Sequence, residues 1–153
     1  MNYEQRLENV TVLGAAGKMG SGILLLTSME MADISLKPEN RGKQYTLFAL
    51  DISQTALTGL MKYIRAQLVK MAERKIGALR ALYADNPNVV DNAEIIDQYV
   101  FDVMNIIRPV TTIESAYDSH IVFEAASENP ELKIKMFSQI NENSNVEPWF
   151  FTN

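Results

Sequence analysis

Three glycines near the amino terminus are the residues whose spacing points most directly to chemistry. Gly14, Gly17 and Gly20 follow a β-branched run at residues 10–13 and precede an apolar helical segment. A strand, a tight turn and a helix in this order place free helix N–H groups where they can bind a diphosphate. We predict that Gly14 permits the turn, Gly17 lets the diphosphate approach, and Gly20 lets the helix pack on the strand. The pattern predicts a dinucleotide site; the alternative is an ordinary tight turn in a flavodoxin-like sheet.

An acidic residue at the end of the next strand is the second requirement of such a site, because its carboxylate accepts hydrogen bonds from ribose hydroxyls. Residues 46–50 are predicted to form that strand, and Asp51 follows it. Asp51 lies 31 residues after Gly20, a longer interval than the usual ~20. We interpret the polar residues 35–45 as a surface loop that accounts for the excess. Asp51 would repel a 2′-phosphate, which favours NAD over NADP.

The composition excludes several classes of function. The net charge of −5 over 153 residues argues against nucleic-acid binding. The chain has no cysteine and one histidine, so it offers no disulfide, no thiol nucleophile and no cysteine- or histidine-rich metal site. Residues 1–9 are polar and unlike a secretory signal, and no apolar run is long enough to span a bilayer. We therefore expect one cytoplasmic domain without metal, membrane or nucleic-acid partners.

Hydrophobic periodicity predicts the alternating strands and helices of an α/β fold. Strands are predicted at residues 9–13, 46–51, 108–112, 120–125 and 149–152, and helices at 18–33, from Ser53, at 95–107 and at 130–143. A turn at residues 85–88 joins the second and third helices into a hairpin between strands two and three. We predict a Rossmann-type, doubly wound, mostly parallel sheet with this hairpin inserted. Because the chain stops after the fifth strand, we expect a single incomplete domain, 1–153, that lacks its last strand.

The helix predicted from Ser53 has an apolar stripe and a basic side. The stripe consists of Leu57, Met61, Ile64, Leu68 and Met71, at the spacing of one helical face. Residues 62–80 carry a net charge of +5, so the rest of the chain carries −10. Most of these basic side chains lie opposite the stripe, which indicates either a solvated face or a surface for a polyanionic ligand. Lys75 falls on the apolar side, so we expect the helix to bend or end near Gly77.

The segment from Ile121 to Phe137 resembles the 3-hydroxyacyl-CoA dehydrogenases. It has an apolar strand, then Glu-Ala-x-x-Glu-Asn at residues 124–129, then a helix with Lys-x-Lys and an aromatic residue. Residues 151–153 resemble the start of that family's fifth-strand motif. The resemblance covers residues 9–153, nearly the whole chain. It implies NAD-dependent oxidation of a hydroxyl group in fatty acid metabolism, with a 3-hydroxyacyl-CoA or a related 3-hydroxy acid as substrate.

The resemblance also implies roles for individual residues. It places the backbone at Lys18 and Met19 on the pyrophosphate, within a cofactor-binding turn made of Gly14, Ala16, Gly17, Lys18, Met19 and Gly20. It places Asp51 at the adenosine ribose. The residues that it places at the nicotinamide-ribose end are Ala125, Glu128, Lys133 and Asn153. Gln67 and Arg74 match positions that touch CoA, which would make the basic helix side a CoA surface.

Three of these residues also have simpler explanations. Glu128 fits equally a first-turn acid favoured by the helix dipole. Lys133 fits a solvent-exposed side chain, and Ala125 fits a small residue at a strand end. We expect Glu124 to face the opposite side of the sheet, and it is not assigned to the site.

The family's mechanism uses a histidine as the base, and this sequence departs from that pattern. The only histidine, His120, lies at the start of a predicted strand, away from the strand ends where ligands bind. We therefore assign no catalytic residue and expect the chain to bind NAD without turnover. The resemblance further implies a C-terminal helical domain, absent from residues 1–153, which binds substrate and makes the parent protein a homodimer.

The glycine turn leaves other interpretations open. It has the form Gly-x-x-Gly-x-x-Gly rather than the family's Gly-x-Gly-x-x-Gly. The form found in this chain is similar to the turn of dihydrodipicolinate reductase. A reductase of that type is therefore one alternative. A non-catalytic module that binds or senses NAD is another. Residues 35–45 are an insertion relative to the family and have no assigned function.

Overall fold

The chain folds around a parallel sheet, which the computed structural model describes for residues 1–126 and 129–152. The strands are β1 (Asn9–Leu13), β2 (Thr46–Leu50), β3 (Ile107–Val110), β4 (Ile121–Glu124) and β5 (Trp149–Thr152). Their order is β3-β2-β1-β4-β5, and each neighbouring pair is parallel. This order confirms the predicted doubly wound sheet, and it brings the carboxyl ends of β1, β2 and β4 to one edge.

Six helices connect or precede the strands in the described part of the chain. They are α1 (Tyr3–Arg6), α2 (Lys18–Ser35), α3 (Gln54–Arg74), α4 (Ile76–Leu82), α5 (Asn92–Ile106) and α6 (Pro130–Asn143), with short 3-10 helices at Pro38–Asn40 and Ile113–Asp118. None of these helices combines the length and apolar content needed to cross a bilayer.

The two faces of the sheet are covered by different helices. Val10, Val12 and Leu47 face a core that contains buried residues of α2, α3, α4 and α5. Leu13 and Val122 face the other side, where they pack with Ile140 of α6 and the segment before β4. Since successive strand residues point to opposite faces, the apolar strands expected for a parallel sheet bury both sides.

The predicted helical hairpin is present between β2 and β3, and it bends at Lys75. α3 ends at Arg74 and α4 begins at Ile76, which confirms the bend expected near Gly77. The Lys75 Nζ lies 2.6 Å from an Asp33 carboxylate oxygen of α2 and donates to the Tyr99 hydroxyl of α5 at 3.2 Å. Lys75 lies on the apolar side of the helix because it joins the hairpin to α2.

Residues 35–45 are more firmly anchored than a surface loop would be. They include the 3-10 helix at Pro38–Asn40, and the Asn40 side chain is buried and donates to the Ile34 carbonyl at 2.8 Å. Tyr45 is also buried. Arg41 forms an ion pair of 3.0 Å with Asp85, beyond the end of α4. The insertion therefore packs against both α2 and the hairpin.

The amino-terminal helix α1, which periodicity did not predict, ties the amino edge of the sheet together. Arg6 donates to the carbonyl oxygens of His120 at 3.2 Å and Glu147 at 2.8 Å, and its guanidinium lies 4.0 Å from the centre of the Trp149 ring. Burial, and then the nearby Arg6 charge, lower the pKa of His120. His120 thus lies at the edge opposite Asp51.

Candidate functional site

The glycine turn after β1 is held between β2 and the loop that follows β4. The N–H groups of Gly14 and Ala15 donate to the Leu50 carbonyl at 2.9 and 3.0 Å. Gly14 has a φ of +73°, and a Cβ built on it would lie 2.4 Å from the Cα of Ala126. Only glycine meets both conditions, the positive φ and the close approach. The predicted role of Gly14 in the turn therefore has a physical basis in this structure.

Gly20 and Gly17 differ in what surrounds them. A Cβ on Gly20 would lie 2.0 Å from the Gly14 carbonyl oxygen, so α2 begins in direct contact with the turn. At Gly17 the nearest atom to a Cβ is that same oxygen, at 3.4 Å, which is an ordinary contact. The protein's own packing therefore requires glycine at position 20 but not at position 17. The approach of a diphosphate to the backbone at Gly17 stays a prediction, and no atom of the protein lies closer than 3.4 Å to a Cβ there.

The first turn of α2 has the character of an anion-binding helix end. Gly17 is its N-cap and provides no side-chain oxygen, and the first turn contains no acidic residue. Lys18 is exposed and Met19 is 57% exposed. The partial positive charge of the helix end is thus directed toward open space, with a lysine beside it, and a diphosphate would satisfy its N–H groups.

Asp51 lies beside the turn at the carboxyl end of β2. One carboxylate oxygen accepts from the Ala16 N–H at 3.1 Å, and the other accepts from the Ser53 N–H at 3.3 Å. Asp51 is only partly exposed. The Ala16 N–H therefore orients the carboxylate. The role of Ala16 in the candidate site is to hold Asp51 in place.

Two cavities flank the turn. A cavity of about 320 Å³ lies on the α6 side of the sheet and is lined by Leu13, Gly14, Leu50, Asp51, Ile52, Ala126, Leu132 and Met136. A cavity of about 360 Å³ lies between α2 and α3 and is lined by Ala16, Gly17, Lys18, Ser21, Ala56, Gly59, Leu60 and Tyr63. The first has the Asp51 carboxylate at one end and apolar walls, which suits the adenosine half of a dinucleotide.

A buried carboxylate lies at the carboxyl end of β4, where the sequence analysis had not placed one in the site. Glu124 is 1% exposed. It accepts from the Ala126 N–H at 2.8 Å and from the Thr152 hydroxyl at 3.0 Å, and Lys133 Nζ lies 3.3 Å from it. Glu124 therefore contacts Ala126 and Lys133, which border the predicted site, although the sequence analysis did not assign it to the site. The available signal was a charged residue ending an apolar strand, since buried charges need specific partners.

Lys133 and Ala125 lie at the same edge of the sheet. Lys133 is on the first turns of α6 with its side chain 18% exposed, and its ammonium also donates to Thr152 at 3.3 Å. The explanation of Lys133 as a solvent-exposed side chain is therefore wrong. The Ala125 N–H donates to the Leu13 carbonyl at 2.9 Å, which continues the ladder between β1 and β4. Glu128 and Asn153 lie outside the described residues.

The basic side of α3 continues from the second cavity. Tyr63, Gln67, Lys70 and Arg74 follow one another at intervals of four, three and four residues, so they share one helix face. Tyr63 lines the cavity beside Lys18. Arg65, nine residues before Arg74, lies on the other side of the helix. Gln67 and Arg74, the predicted CoA residues, thus share a helix face with Tyr63, which lines the second cavity together with Gly17 and Lys18.

The chain matches the model of the 3-hydroxyacyl-CoA dehydrogenase NAD-binding domain over residues 9–153. It belongs to this family. The match includes the glycine turn, so the similarity of that turn to dihydrodipicolinate reductase does not place the chain elsewhere. As a member of the 3-hydroxyacyl-CoA dehydrogenase family, the chain is an NAD-binding domain, and NAD is its cofactor.

Solved structures of 3-hydroxyacyl-CoA dehydrogenases have the same fold. The (S)-3-hydroxybutyryl-CoA dehydrogenase of Ralstonia eutropha is 21% identical with a TM-score of 0.62, over 96% of this chain and 41% of that one. The 3-hydroxybutyryl-CoA dehydrogenase of Escherichia coli is 24% identical with a TM-score of 0.65, over 96% of this chain and 24% of that one. The chain thus spans less than half the length of these two proteins. No protein of curated function matches the sequence.

The residues present fit NAD. The α2 end leaves room at Gly17 for a diphosphate, and Asp51 offers a carboxylate at the end of β2. Within residues 1–126 and 129–152, no three His, Cys, Asp or Glu side chains come together in a way that could hold a metal ion.

Proposed function

We propose that this domain belongs to an enzyme that oxidises the hydroxyl group of a 3-hydroxyacyl-CoA, or of a related 3-hydroxy acid, to the 3-keto product. NAD, when bound, supplies the hydride acceptor for this oxidation. The family of the domain supports the reaction, and two proteins of the same fold are 3-hydroxybutyryl-CoA dehydrogenases. The substrate class rests on one observation. Tyr63, Gln67 and Arg74 share a helix face, and Tyr63 lines a cavity together with Gly17 and Lys18 of the proposed cofactor-binding turn.

The first half of the proposed site orients the cofactor. The N–H groups at Lys18 and Met19 bind the diphosphate, and Gly17 gives it room. Asp51 accepts from the adenosine ribose while the Ala16 and Ser53 N–H groups hold its carboxylate in place. A carboxylate at this position disfavours a 2′-phosphate by charge repulsion. The site therefore binds NAD in preference to NADP.

The second half of the proposed site binds the CoA moiety. From Tyr63 to Arg74 the helix rises about 16 Å, a length suited to an extended nucleotide ester. Lys70 and Arg74 are exposed on this face, and they provide the positive charge that the CoA phosphates need. Gln67, partly buried and one turn before Lys70, offers an amide for hydrogen bonding. A polyanionic ligand would explain why Lys70 and Arg74 are both exposed on this face of an acidic protein.

Groups outside this chain complete the proposed enzyme. The proton of the substrate hydroxyl needs a base, and the single histidine of the chain lies at the amino edge of β4, where its backbone N–H donates to the Asn9 carbonyl at 2.9 Å. We infer that a C-terminal helical domain supplies the base and the contacts of a homodimer. A cytoplasmic location and a role in fatty acid metabolism belong to the same proposal.

Titration with acetoacetyl-CoA tests the substrate class. Calorimetry of the chain with NADH present should detect binding that weakens as salt increases, because the contacts are charged. Arg74→Ala should weaken it about fivefold or more. Arg65→Ala removes the same charge from the other side of α3 and should leave the affinity unchanged. Equal effects of the two variants, or no binding of acetoacetyl-CoA while NADH binds normally, would exclude a CoA surface on this helix face.

A further inference from the structure

Glu124 is the only fully buried carboxylate among the described residues. It ends β4, at the edge of the sheet where the proposed cofactor site lies. Its side chain has no exposed surface, whereas the Lys133 side chain next to it is 18% exposed. Burying a carboxylate costs free energy unless hydrogen bonds and a counter-charge offset the lost hydration. The described contacts of Glu124 all come from the loop, strand and helix that border the nicotinamide end of the site.

The two oxygens of Glu124 hold different parts of that border. One oxygen accepts from the N–H of Ala126 at 2.8 Å, and the Cα of Ala126 lies directly against Gly14. The other accepts from Thr152 at 3.0 Å and lies 3.3 Å from the Lys133 ammonium. One side chain thus fixes both the loop over the glycine turn and the cation at the start of α6.

The position of Lys133 is otherwise unfavourable. It lies in the first turns of α6, and the positive end of the helix dipole disfavours a cation there. The ion pair with Glu124 and the hydrogen bond to Thr152 offset that cost. They also fix where the ammonium is, since a lysine side chain in solvent samples many rotamers.

We propose that Glu124 is a positioning residue that holds the Lys133 ammonium at the nicotinamide-ribose end of the cofactor site. This inference rests on the proposed role of Lys133. A cation that is already oriented binds the ribose hydroxyls without the entropy cost of ordering the side chain. Glu124 does not contact the cofactor in this account. Its charge acts on the nicotinamide half only, because the bond to the Ala126 N–H needs an oxygen but not the charge, and Asp51 and the turn hold the adenosine half.

The test compares a whole cofactor with its adenosine half. NADH and ADP are titrated into the chain and into Glu124→Gln, which keeps an oxygen for the Ala126 N–H but removes the charge. We expect the Kd for NADH to rise about tenfold and the Kd for ADP to stay the same. The fluorescence of bound NADH should move toward that of free NADH, since it reports the surroundings of the nicotinamide ring. Glu131→Gln, an exposed acid on the same helix, is the charge control.

A double-mutant cycle separates positioning from general stability. Lys133→Met should weaken NADH as Glu124→Gln does, and the double variant should be no weaker than either single one. Additive losses, unchanged NADH affinity, or equal losses for NADH and ADP in Glu124→Gln would overturn the proposal. If Glu124→Gln does not fold, Glu124→Asp draws the carboxylate away from the Lys133 ammonium by one methylene, and an unchanged ratio of NADH to ADP affinity would then overturn the proposal.

A different outcome bears on the proposed function itself. If the unaltered chain binds ADP but not NADH, the nicotinamide end is not where the fold places it, and the proposed role of Lys133 fails together with that of Glu124. If NADH binds and only the response to Glu124→Gln is absent, the positioning role alone is wrong.

Discussion

The Lys75 ammonium lies 2.6 Å from a carboxylate oxygen of Asp33, and the Tyr99 hydroxyl donates to the other oxygen of the same carboxylate at 2.8 Å. This cluster joins three helices, because Asp33 is on α2, Tyr99 is on α5, and Lys75 occupies the bend between α3 and α4. It therefore fixes the hairpin, which carries the proposed CoA face, relative to the helix that carries the diphosphate site.

Lys75→Met should lower the free energy of unfolding by about 1–3 kcal/mol, because Asp33 would lose its counter-charge while partly buried. Urea denaturation followed by circular dichroism measures this. Lys70→Met removes an exposed lysine from the same hairpin and should change stability by less than about 0.5 kcal/mol. Equal stabilities of the two variants would show that the Asp33 contact does not fix the hairpin.

Gly20→Ala and Gly17→Ala should separate packing from ligand binding. A Cβ at position 20 would lie 2.0 Å from the backbone oxygen of Gly14, so Gly20→Ala should cost about 3 kcal/mol or more, or prevent folding. Gly17→Ala meets its nearest atom at 3.4 Å and should fold normally but bind NADH more weakly. Thermal unfolding and NADH titration distinguish them. Normal NADH affinity in Gly17→Ala would mean that the diphosphate does not approach that residue.

Stability should fall at alkaline pH because of two buried tyrosines. Burial and the Asp33 carboxylate raise the pKa of Tyr99, and burial and the hydrogen bond to Asp102 raise the pKa of Tyr83. Above about pH 10 the unfolded chain releases protons that the folded chain keeps. These two tyrosines should therefore leave the free energy of unfolding unchanged below that pH and lower it above that pH.

A tyrosine-to-phenylalanine variant tests how steeply the free energy of unfolding decreases with pH above about pH 10. Tyr99→Phe removes one of the protons that the folded chain retains, so its stability should decrease less steeply between about pH 10 and 11 than that of the unaltered chain. A slope that Tyr99→Phe does not alter would contradict the assignment of the pH effect to this residue.

Local patterns were sufficient to predict much of the scaffold. The β-branched run gave β1 at Asn9–Leu13, and the proline that begins α6 gave Pro130–Asn143. These boundaries depend on residues that are close together in the sequence. Lys75 was also informative, because a charge on an apolar helix side requires a bend or a partner, and the structure has both.

The contacts that complete the site depend on distant residues and were not predictable from local pattern. Glu124 borders the proposed site because Thr152 lies opposite it in the register of β4 and β5, and because α6 brings Lys133 over it. Strand alternation predicts that Glu124 and Val122 lie on the same face of the sheet. It does not predict which residues cover that face. The hydrogen bond from Ala16 to Asp51 spans 35 residues and likewise requires the sheet.

Titration of the chain with NADH and NADPH tests the central claim most directly, with Asp51→Asn as the variant and Asp97→Asn, an exposed acid on α5, as the control. We predict that the chain and Asp97→Asn bind NADH and prefer it to NADPH by about tenfold or more, because the Asp51 charge repels a 2′-phosphate. Asp51→Asn should lose most of that preference. Absence of NADH binding, or a preference that Asp51→Asn leaves intact, would contradict the placement of NAD at this edge of the sheet.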